Sequence, residues 1–353
     1  MAPVGNVYVV GPGGSGKTFF CVALALELQE EGLKVSYFKP VGASGEGRED
    51  QDAVLLRELL GMSVPLERMV PLTSSPYYLW RYETAHTYGE QIRQAYAEVA
   101  RGAQVVIIGG APSPYHLASL GLDAVGIVRL LQPLVFTVHR VLNDLSLDVA
   151  IAYQEYLRAH GARMGGLVLN QVPRALVNKA QDLYRRVLED RGYRVLGIVP
   201  EFPEMARPTV RELAELLEAE VLAGEEGLAD PVGDLVVGAM TLDSAMRYFR
   251  RAPNKAVITG GDRADLALAA LETDTAVLVL TGGLHPEARV LAQAEERKVP
   301  VLLTNYDTLA AVDLLRAASR KLRPGDRHSL ELVRESFRRY CDRQAIVDLV
   351  KQG

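Results

Sequence analysis

The segment Gly11-Pro12-Gly13-Gly14-Ser15-Gly16-Lys17-Thr18 matches the pattern Gly-x4-Gly-Lys-Thr in full. An apolar run, Val7–Val10, precedes it, and a stretch of helical composition begins at Lys17. Glycines let the backbone curl so that successive N–H groups point at phosphate oxygens, and the helix adds the positive end of its dipole. We therefore predict a P-loop that binds ATP or a close relative. Lys17 would contact the β- and γ-phosphates, and the Thr18 hydroxyl would ligate Mg²⁺.

Outward from this loop, short apolar runs alternate with longer amphipathic ones. Parallel strands buried on both faces have this continuous apolar character, and helices connect them. The pattern predicts an α/β fold, a P-loop NTPase-type parallel sheet with flanking helices. The predicted strands are Val7–Val10, Val35–Phe38, Val105–Ile108, Leu134–Val138, Gly166–Leu169 and Val195–Val199. The predicted helices are Lys17–Glu31, Asp52–Leu60, Tyr88–Arg101, Leu145–His160, Val177–Arg191 and one from Pro208 through Leu217.

A glycine- and acid-rich stretch, Leu222–Pro231, has the composition of a linker. After it the alternation restarts with shorter units, so we predict a smaller α/β domain with strands near Asp234–Val237, Lys255–Ile258, Ala276–Leu280 and Val299–Leu303. The predicted domains are 1–224, 225–322 and a helical tail, 323–353. The tail would cap the second domain or pair with another subunit, and we favour the first alternative.

Composition limits the classes of function. The net charge of −5 shows no basic footprint for nucleic acid, and no apolar stretch approaches the length of a membrane helix. Two cysteines far apart match no metal spacing. We therefore expect a soluble, cytoplasmic protein with neither nucleic acid nor membrane as a partner.

Five further motifs resemble dethiobiotin synthetase, and they follow one another over about residues 5–220. The resemblance implies that the lysine of Lys39-Pro40-Val41 holds substrate and transferred phosphate. It implies that Asp52 binds Mg²⁺. As carboxylates, Asp50 and Asp52 are both candidates for this ion, and the alternative for Asp52 is the amino cap of a helix. Three other matches are Ser75-Pro76 near a substrate pocket, Asn170 as the reader of adenine, and Pro200 in a nucleotide-side loop.

The positions at which this chain departs from dethiobiotin synthetase bear on its function as much as the matching motifs do. Where the synthetase has a metal-binding glutamate after the third strand, this chain has Gly109. The bulky Tyr77–Trp80 follows Ser75-Pro76, and the P-loop has Gly14 and Ser15 where the synthetase has an acidic residue. Without one metal ligand, metal-assisted phosphoryl transfer loses part of its charge neutralisation. We therefore do not expect dethiobiotin synthesis.

The second domain resembles the DRTGG domain, which follows a dethiobiotin-synthetase-like domain in the amino-terminal part of long bacterial phosphotransacetylases. The resemblance rests on Val237–Leu242, Val257–Asp265 and Leu280–Gly283. It makes the strand-end residues a candidate regulatory site for a small metabolite or a metabolic enzyme. Acetyltransferase activity is not expected, because the chain leaves no room for that domain. The candidate regulatory residues are Gly260, Gly261, Asp262, Arg263, Thr281, Gly282 and Gly283.

Three functions remain open from the sequence. The favoured one is an ATP-binding regulatory or sensor protein with weak or no turnover. The second is an ATP-dependent ligase that phosphorylates a small carboxylate or carbamate, with Lys17 and Lys39 as catalytic residues and Glu201 in place of the missing glutamate. The third is an inert structural partner of a metabolic enzyme. A homo-oligomer is expected by analogy with related folds.

Overall fold

The computed structural model describes residues 5–43, 49–74, 78–79, 85–202, 207–316, 322 and 327–352. The chain divides into two compact units, and the first contains both ends of the chain. That unit comprises residues 1–201 together with 322–353, and the second comprises residues 202–321.

The first unit is built on a parallel six-stranded sheet with the order β2-β5-β1-β6-β7-β8. The P-loop strand, β1, therefore has neighbours on both sides, and its side chains are buried as the apolar pattern predicts. Two short strands, β3 (Val41–Ala43) and β4 (Leu72–Ser74), form a separate parallel pair. The six strands are β1 (Gly5–Val10), β2 (Val35–Phe38), β5 (Val105–Gly109), β6 (Leu134–Arg140), β7 (Arg163–Val172) and β8 (Val195–Pro200).

Helices flank this sheet in the predicted alternation. The segment α7 begins as an α-helix at Val177–Lys179, passes through a π-helical turn at Ala180–Tyr184 and ends as Arg185–Asp190. Two helices, α3 and α5, were not among the predicted elements. The helices before α7 are α1 (Lys17–Glu30), α2 (Gln51–Leu59), α3 (Leu66–Met69), α4 (Ala85–Val99), α5 (Ala124–Leu131) and α6 (Leu145–Ala159). In the described residues, every helix is too short or too polar to span a bilayer.

The second unit has a five-stranded sheet with the order β10-β11-β12-β13-β9, in which only the edge strand β9 is antiparallel. Apolar clusters cover both faces of this sheet. Its strands are β9 (Glu220–Ala223), β10 (Leu235–Val237), β11 (Lys255–Gly260), β12 (Thr275–Thr281) and β13 (Val301–Leu303). Its helices are α8 (Val210–Leu216), α9 (Leu242–Phe249), α10 (Ala264–Leu271), α11 (Ala288–Arg297) and α12 (Thr308–Arg316).

The boundary predicted at residue 224 is therefore wrong. The segment read as a linker includes the end of β9, which pairs with β13, and Ala223 and Leu228 are buried in the second unit. The unit begins at Phe202, some twenty residues before the predicted boundary. The glycines of the segment Leu222–Pro231 include Gly224, which forms a tight turn. Its φ is +68°, and a Cβ there would collide with the backbone of Val299.

The assignment of the tail to the second domain is also wrong. Two helices, α13 (Arg327–Tyr340) and α14 (Arg343–Gln352), belong to the first unit. The fully buried Phe337 meets the ring of Phe20 on α1 edge-on, with ring centroids 5.8 Å apart. Beyond α13, the backbone N–H of Asp342 donates to the carbonyl of Leu196 on β8 at 2.7 Å. The apolar spacing that predicted a helix here was correct, but it did not show which unit the helix covers.

Ion pairs fasten the same helices to α1. Glu27 is completely buried, and its carboxylate accepts hydrogen bonds from the guanidinium groups of Arg338, at 2.6 Å, and Arg343. These guanidinium groups are about a third exposed, so water screens them in part. We call the whole set the tail clamp: Glu27, Glu30 and Glu31 on α1 with Arg334, Arg338, Arg343 and Lys351.

Replacing Phe337 tests whether the tail stabilises the first unit. Phe337→Ala should lower the free energy of unfolding by about 3–5 kcal/mol, because a large buried ring is lost and a cavity remains beside Phe20. Tyr248→Ala, which removes a ring that is 56% exposed, should change it by less than about 0.5 kcal/mol. Urea denaturation followed by circular dichroism gives both values. Equal shifts for the two variants would contradict the packing described for the tail.

Candidate functional site

The side chain of the P-loop lysine is hydrogen-bonded to backbone carbonyls of the same loop. Lys17 Nζ donates to the carbonyl oxygens of Gly11, at 2.9 Å, and Pro12, at 2.8 Å. Gly14 and Gly16 have φ values of +71° and +91°, in the left-handed region that glycine adopts without strain. A Cβ at Gly16 would also collide with the side-chain amide of Asn170. The glycines at these two positions are thus required by the conformation of the loop.

One group in the loop has no protein partner. The side chain of Ser15 is fully buried, and its Oγ makes no hydrogen bond. An unsatisfied buried hydroxyl costs about 1–3 kcal/mol, so a ligand that accepts its hydrogen bond gains that energy. The loop also lies at the carboxyl end of β1, where open α/β sheets bind ligands. These features fit a phosphate group.

The charge of Lys17 is sensitive to pH. Burial lowers the pKa of Lys17 to about 8; the negative charge of Asp52 opposes this effect and the positive charge of Lys39 adds to it. At pH 7 the lysine is therefore still mostly a cation and suits an anionic ligand.

Beside the loop, Lys39 is held between two carboxylates. Its Nζ lies 2.8 Å from Asp50 Oδ2 and 2.6 Å from Asp52 Oδ2. Burial opposes the charge on Lys39, but the two aspartates outweigh it and raise its pKa. Burial likewise opposes ionisation of Asp52, but Lys39 and a hydrogen bond from Thr18 outweigh it and lower the pKa of Asp52. Thr18 Oγ1 donates to Asp52 Oδ1 at 2.7 Å.

Asp50 and Asp52 both lie at the start of α2. Asp50 is the amino cap of this helix, accepting from the backbone N–H of Ala53. Asp52 lies in the first turn and reaches both Thr18 and Lys39. The two residues predicted as metal ligands, Thr18 and Asp52, are therefore in direct contact. Among the described residues, no three Asp, Glu, His or Cys side chains gather into a metal-binding group.

A tyrosine occupies the space beside Gly109, the position where dethiobiotin synthetase has a metal-binding glutamate. Gly109 ends β5 next to β2, and a Cβ built there would collide with the hydroxyl of Tyr37. Tyr37 is buried, and burial together with the charge of Asp52 raises its pKa well above the ordinary value. A neutral phenol therefore fills the space that an acidic side chain at position 109 needs. The sequence analysis did not single out Tyr37, although it stands two residues before Lys39.

Glu201 cannot replace that glutamate. Its backbone continues β8, which is four strands from β5 in the sheet. Neighbouring strands are about 4.8 Å apart, which puts the two strand ends about 19 Å from each other. This part of the ligase hypothesis is wrong.

The remaining predicted nucleotide residues occupy different places. Asn170, on β7, is buried against the P-loop, and its Nδ2 donates to the carbonyl of Ser15 at 2.9 Å. Its amide thus supports the loop, and its predicted contact with adenine remains a prediction. Pro200 ends β8 at the carboxyl edge of the sheet. Ser75-Pro76 and the aromatic residues Tyr77 and Trp80 lie outside the described residues.

In the second unit, the candidate regulatory residues meet at one sheet edge. Gly260 pairs with Thr281 where β11 and β12 end. The backbone N–H groups of Gly261, Gly282 and Gly283 all donate to protein carbonyls, so these loops brace one another. Asp262 is exposed, and Arg263 pairs with Asp265 at 3.1 Å. A ligand at this edge stays a prediction.

This geometry, a parallel sheet whose central strand feeds a glycine-bent phosphate loop, defines the class of P-loop nucleotide-binding proteins. A family model described as AAA domain matches residues 5–209, more than half of the chain. The chain belongs to this AAA domain family. A second family model, the DRTGG domain, matches residues 212–318 and agrees with the resemblance noted above.

Two relatives are phosphate acetyltransferases. That of Pseudomonas putida is 25% identical over 93% of this chain and 49% of its own length. That of Deinococcus radiodurans is 26% identical over 78% of this chain and 41% of its own length. The chain thus spans about half the length, or less, of these curated relatives. The MinC:MinD cell division protein complex of Aquifex aeolicus gives a TM-score of 0.36 at 15% identity, covering 57% of this chain and 83% of the other, which carries no functional argument.

Substitution at Gly109 tests whether Tyr37 fills the space beside it. Gly109→Ala should lower the free energy of unfolding by about 1–3 kcal/mol, because the added methyl group overpacks a filled core. The loss should be smaller in a Tyr37→Phe background, where the nearest atom is absent, and a double-mutant cycle measures the difference. Gly89→Ala is the control: it lies in α4 with ordinary contacts, and should be neutral or stabilising by up to about 1 kcal/mol. An unchanged loss in the Tyr37→Phe background would contradict this account.

Proposed function

We propose that this protein binds ATP with Mg²⁺ and acts as a nucleotide-dependent regulatory or sensor protein of central metabolism, with weak turnover. The observation that carries the proposal is the pairing of an intact phosphate loop with an incomplete metal site. The loop has a buried, unpartnered Ser15 hydroxyl, whereas Tyr37 fills the space of a carboxylate at Gly109.

The chain's own groups would bind the nucleotide as follows. Lys17 exchanges the carbonyls of Gly11 and Pro12 for phosphate oxygens, and Ser15 donates its free hydroxyl hydrogen. Thr18 and Asp52, already in contact, would hold Mg²⁺. When bound, Mg²⁺ neutralises charge that develops on the phosphates during phosphoryl transfer.

Slow turnover follows from the groups around that position. Phosphoryl transfer depends on positioning and on charge stabilisation rather than on covalent chemistry by the protein. A neutral phenol at Tyr37 cannot serve as the second carboxylate, and Glu201 lies at the far side of the sheet. The nucleotide is therefore held well and consumed slowly, which suits a sensor.

The wider role rests on relatives. The two matched phosphate acetyltransferases align with 93% and 78% of this chain. A protein of this layout would act in the same area of metabolism, in the cytoplasm, as a homo-oligomer. The second unit would take a small metabolite or a metabolic enzyme as its partner.

Isothermal titration calorimetry with Mg-ATP tests the proposal directly. The wild type should bind, and Lys17→Met should lose at least about a hundredfold in affinity, because the cation facing the phosphates is removed. Lys179→Met is the matched control, since it removes a lysine paired with Asp144 elsewhere in the first unit. Its affinity should equal that of the wild type.

ADP release and sedimentation in the same samples separate the alternatives. A sensor should release little ADP and change its sedimentation when ATP is added. Substrate-dependent ADP release in the presence of a pool of small metabolites, lost in Lys39→Ala, would favour the ligase. No binding by the wild type would overturn the proposed function.

The affinity for ATP should depend on pH through Lys17. Below pH 8 the lysine is charged and the affinity should be nearly constant; above pH 8 the free protein loses the proton, and the affinity should fall by up to about tenfold per pH unit. Lys17→Arg stays charged throughout this range, so its affinity, although lower, should not show this fall. Calorimetry between pH 7 and about 9.5 distinguishes the two profiles. A constant wild-type affinity would contradict the lowered pKa of Lys17.

A further inference from the structure

The ammonium group of Lys39 contacts both aspartates at the start of α2. It lies within 3 Å of a carboxylate oxygen of Asp50 and of Asp52, at 2.8 and 2.6 Å. The other oxygen of Asp52 accepts from the Thr18 hydroxyl, the group expected to ligate Mg²⁺. A divalent cation held by Thr18 and Asp52 would therefore bind the same carboxylate that Lys39 contacts, and the two cations would compete for it.

Cationic groups already accompany the carboxylate of Asp52. The Lys39 ammonium contacts it at 2.6 Å, and Lys17 lies near enough to interact with it electrostatically. Lys39 is itself buried, with 8% of its surface exposed, so moving it away from the aspartates without another anion would leave a buried charge unpaired. Free metal would thus have to displace a cation that already contacts Asp52. A nucleotide supplies further negative charge, since Mg²⁺ in such sites is bound by one or two carboxylates together with substrate phosphates.

We propose that Lys39 acts as a built-in counter-ion that competes with divalent metal for Asp52, so that metal binds only together with a nucleotide. The phosphates then receive the Lys39 ammonium, and Asp52 becomes free to turn to the metal. Lys39 therefore changes partners between the nucleotide-free and the nucleotide-bound protein. This inference rests on the proposed function, because it takes Asp52 to be a metal ligand.

Electron paramagnetic resonance of Mn²⁺, with no nucleotide present, tests the competition. Lys39→Met keeps most of the length of the side chain but removes its charge, so Asp52 loses the ammonium group that it contacts. This variant should bind Mn²⁺ at least about tenfold more tightly than the wild type. The wild type itself should show no saturable binding.

Three further variants make the result specific. Lys39→Met combined with Asp52→Asn should lose the gained affinity, because the shared carboxylate is gone. Lys179→Met, which removes the cation paired with Asp144 on the surface, should bind Mn²⁺ no better than the wild type. If Lys39→Met does not fold, as judged by circular dichroism, Lys39→Gln takes its place.

Two outcomes would overturn the inference: saturable Mn²⁺ binding by the nucleotide-free wild type, or no gain in a folded Lys39 variant. Neither depends on whether the wild type binds ATP, which calorimetry measures separately. A wild type that binds Mg-ATP while its Lys39 variants gain no Mn²⁺ affinity would retain the proposed function and reject the competition.

Discussion

The turn from β1 into α1 is the constraint on which the rest of the first unit depends. Gly14 and Gly16 are held at positive φ, and the space beside Gly16 is taken by Asn170, so a larger residue does not fit at position 16. The same turn sets the direction of α1. That helix presents Phe20 to the core on one turn and Glu27 to the carboxyl-terminal helices two turns later. The phosphate loop and the helix that contacts the tail are therefore consecutive parts of one segment.

Beside the phosphate loop, the packing of one pair of residues limits which side chain can stand at position 109. With Gly109 at the end of β5, the ring of Tyr37 extends into the space beside it. The site keeps its phosphate loop but has fewer negative charges, and the two remaining aspartates are shared with Lys39. The packing of neutral atoms, together with the charged residues, thus decides which groups stand beside the phosphate loop.

The path of the chain gives the second unit an unusual position in the sequence. It is inserted between β8 and α13, and the chain then returns to complete the first unit. The tail clamp draws its basic residues from the returning helices and its acidic residues from α1. Because Glu27 is fully buried, removal of its partners would leave an uncompensated carboxylate, so the returning helices are part of the stable P-loop unit.

The sequence by itself determined the P-loop, all six strands of the first sheet and the order of the two family regions. These are properties of short segments, because glycine spacing, apolar periodicity and motifs depend on residues that are close together in the sequence. Only the tertiary structure decided that Tyr37 fills the space at Gly109, that Asn170 supports Ser15 across 155 residues, and that Arg338 pairs with Glu27 across 311. Helical spacing in the tail showed that its helices have an apolar face, because buried positions recur periodically along a helix. It did not show which unit that face packs against, because this depends on contacts between elements that are distant in the sequence.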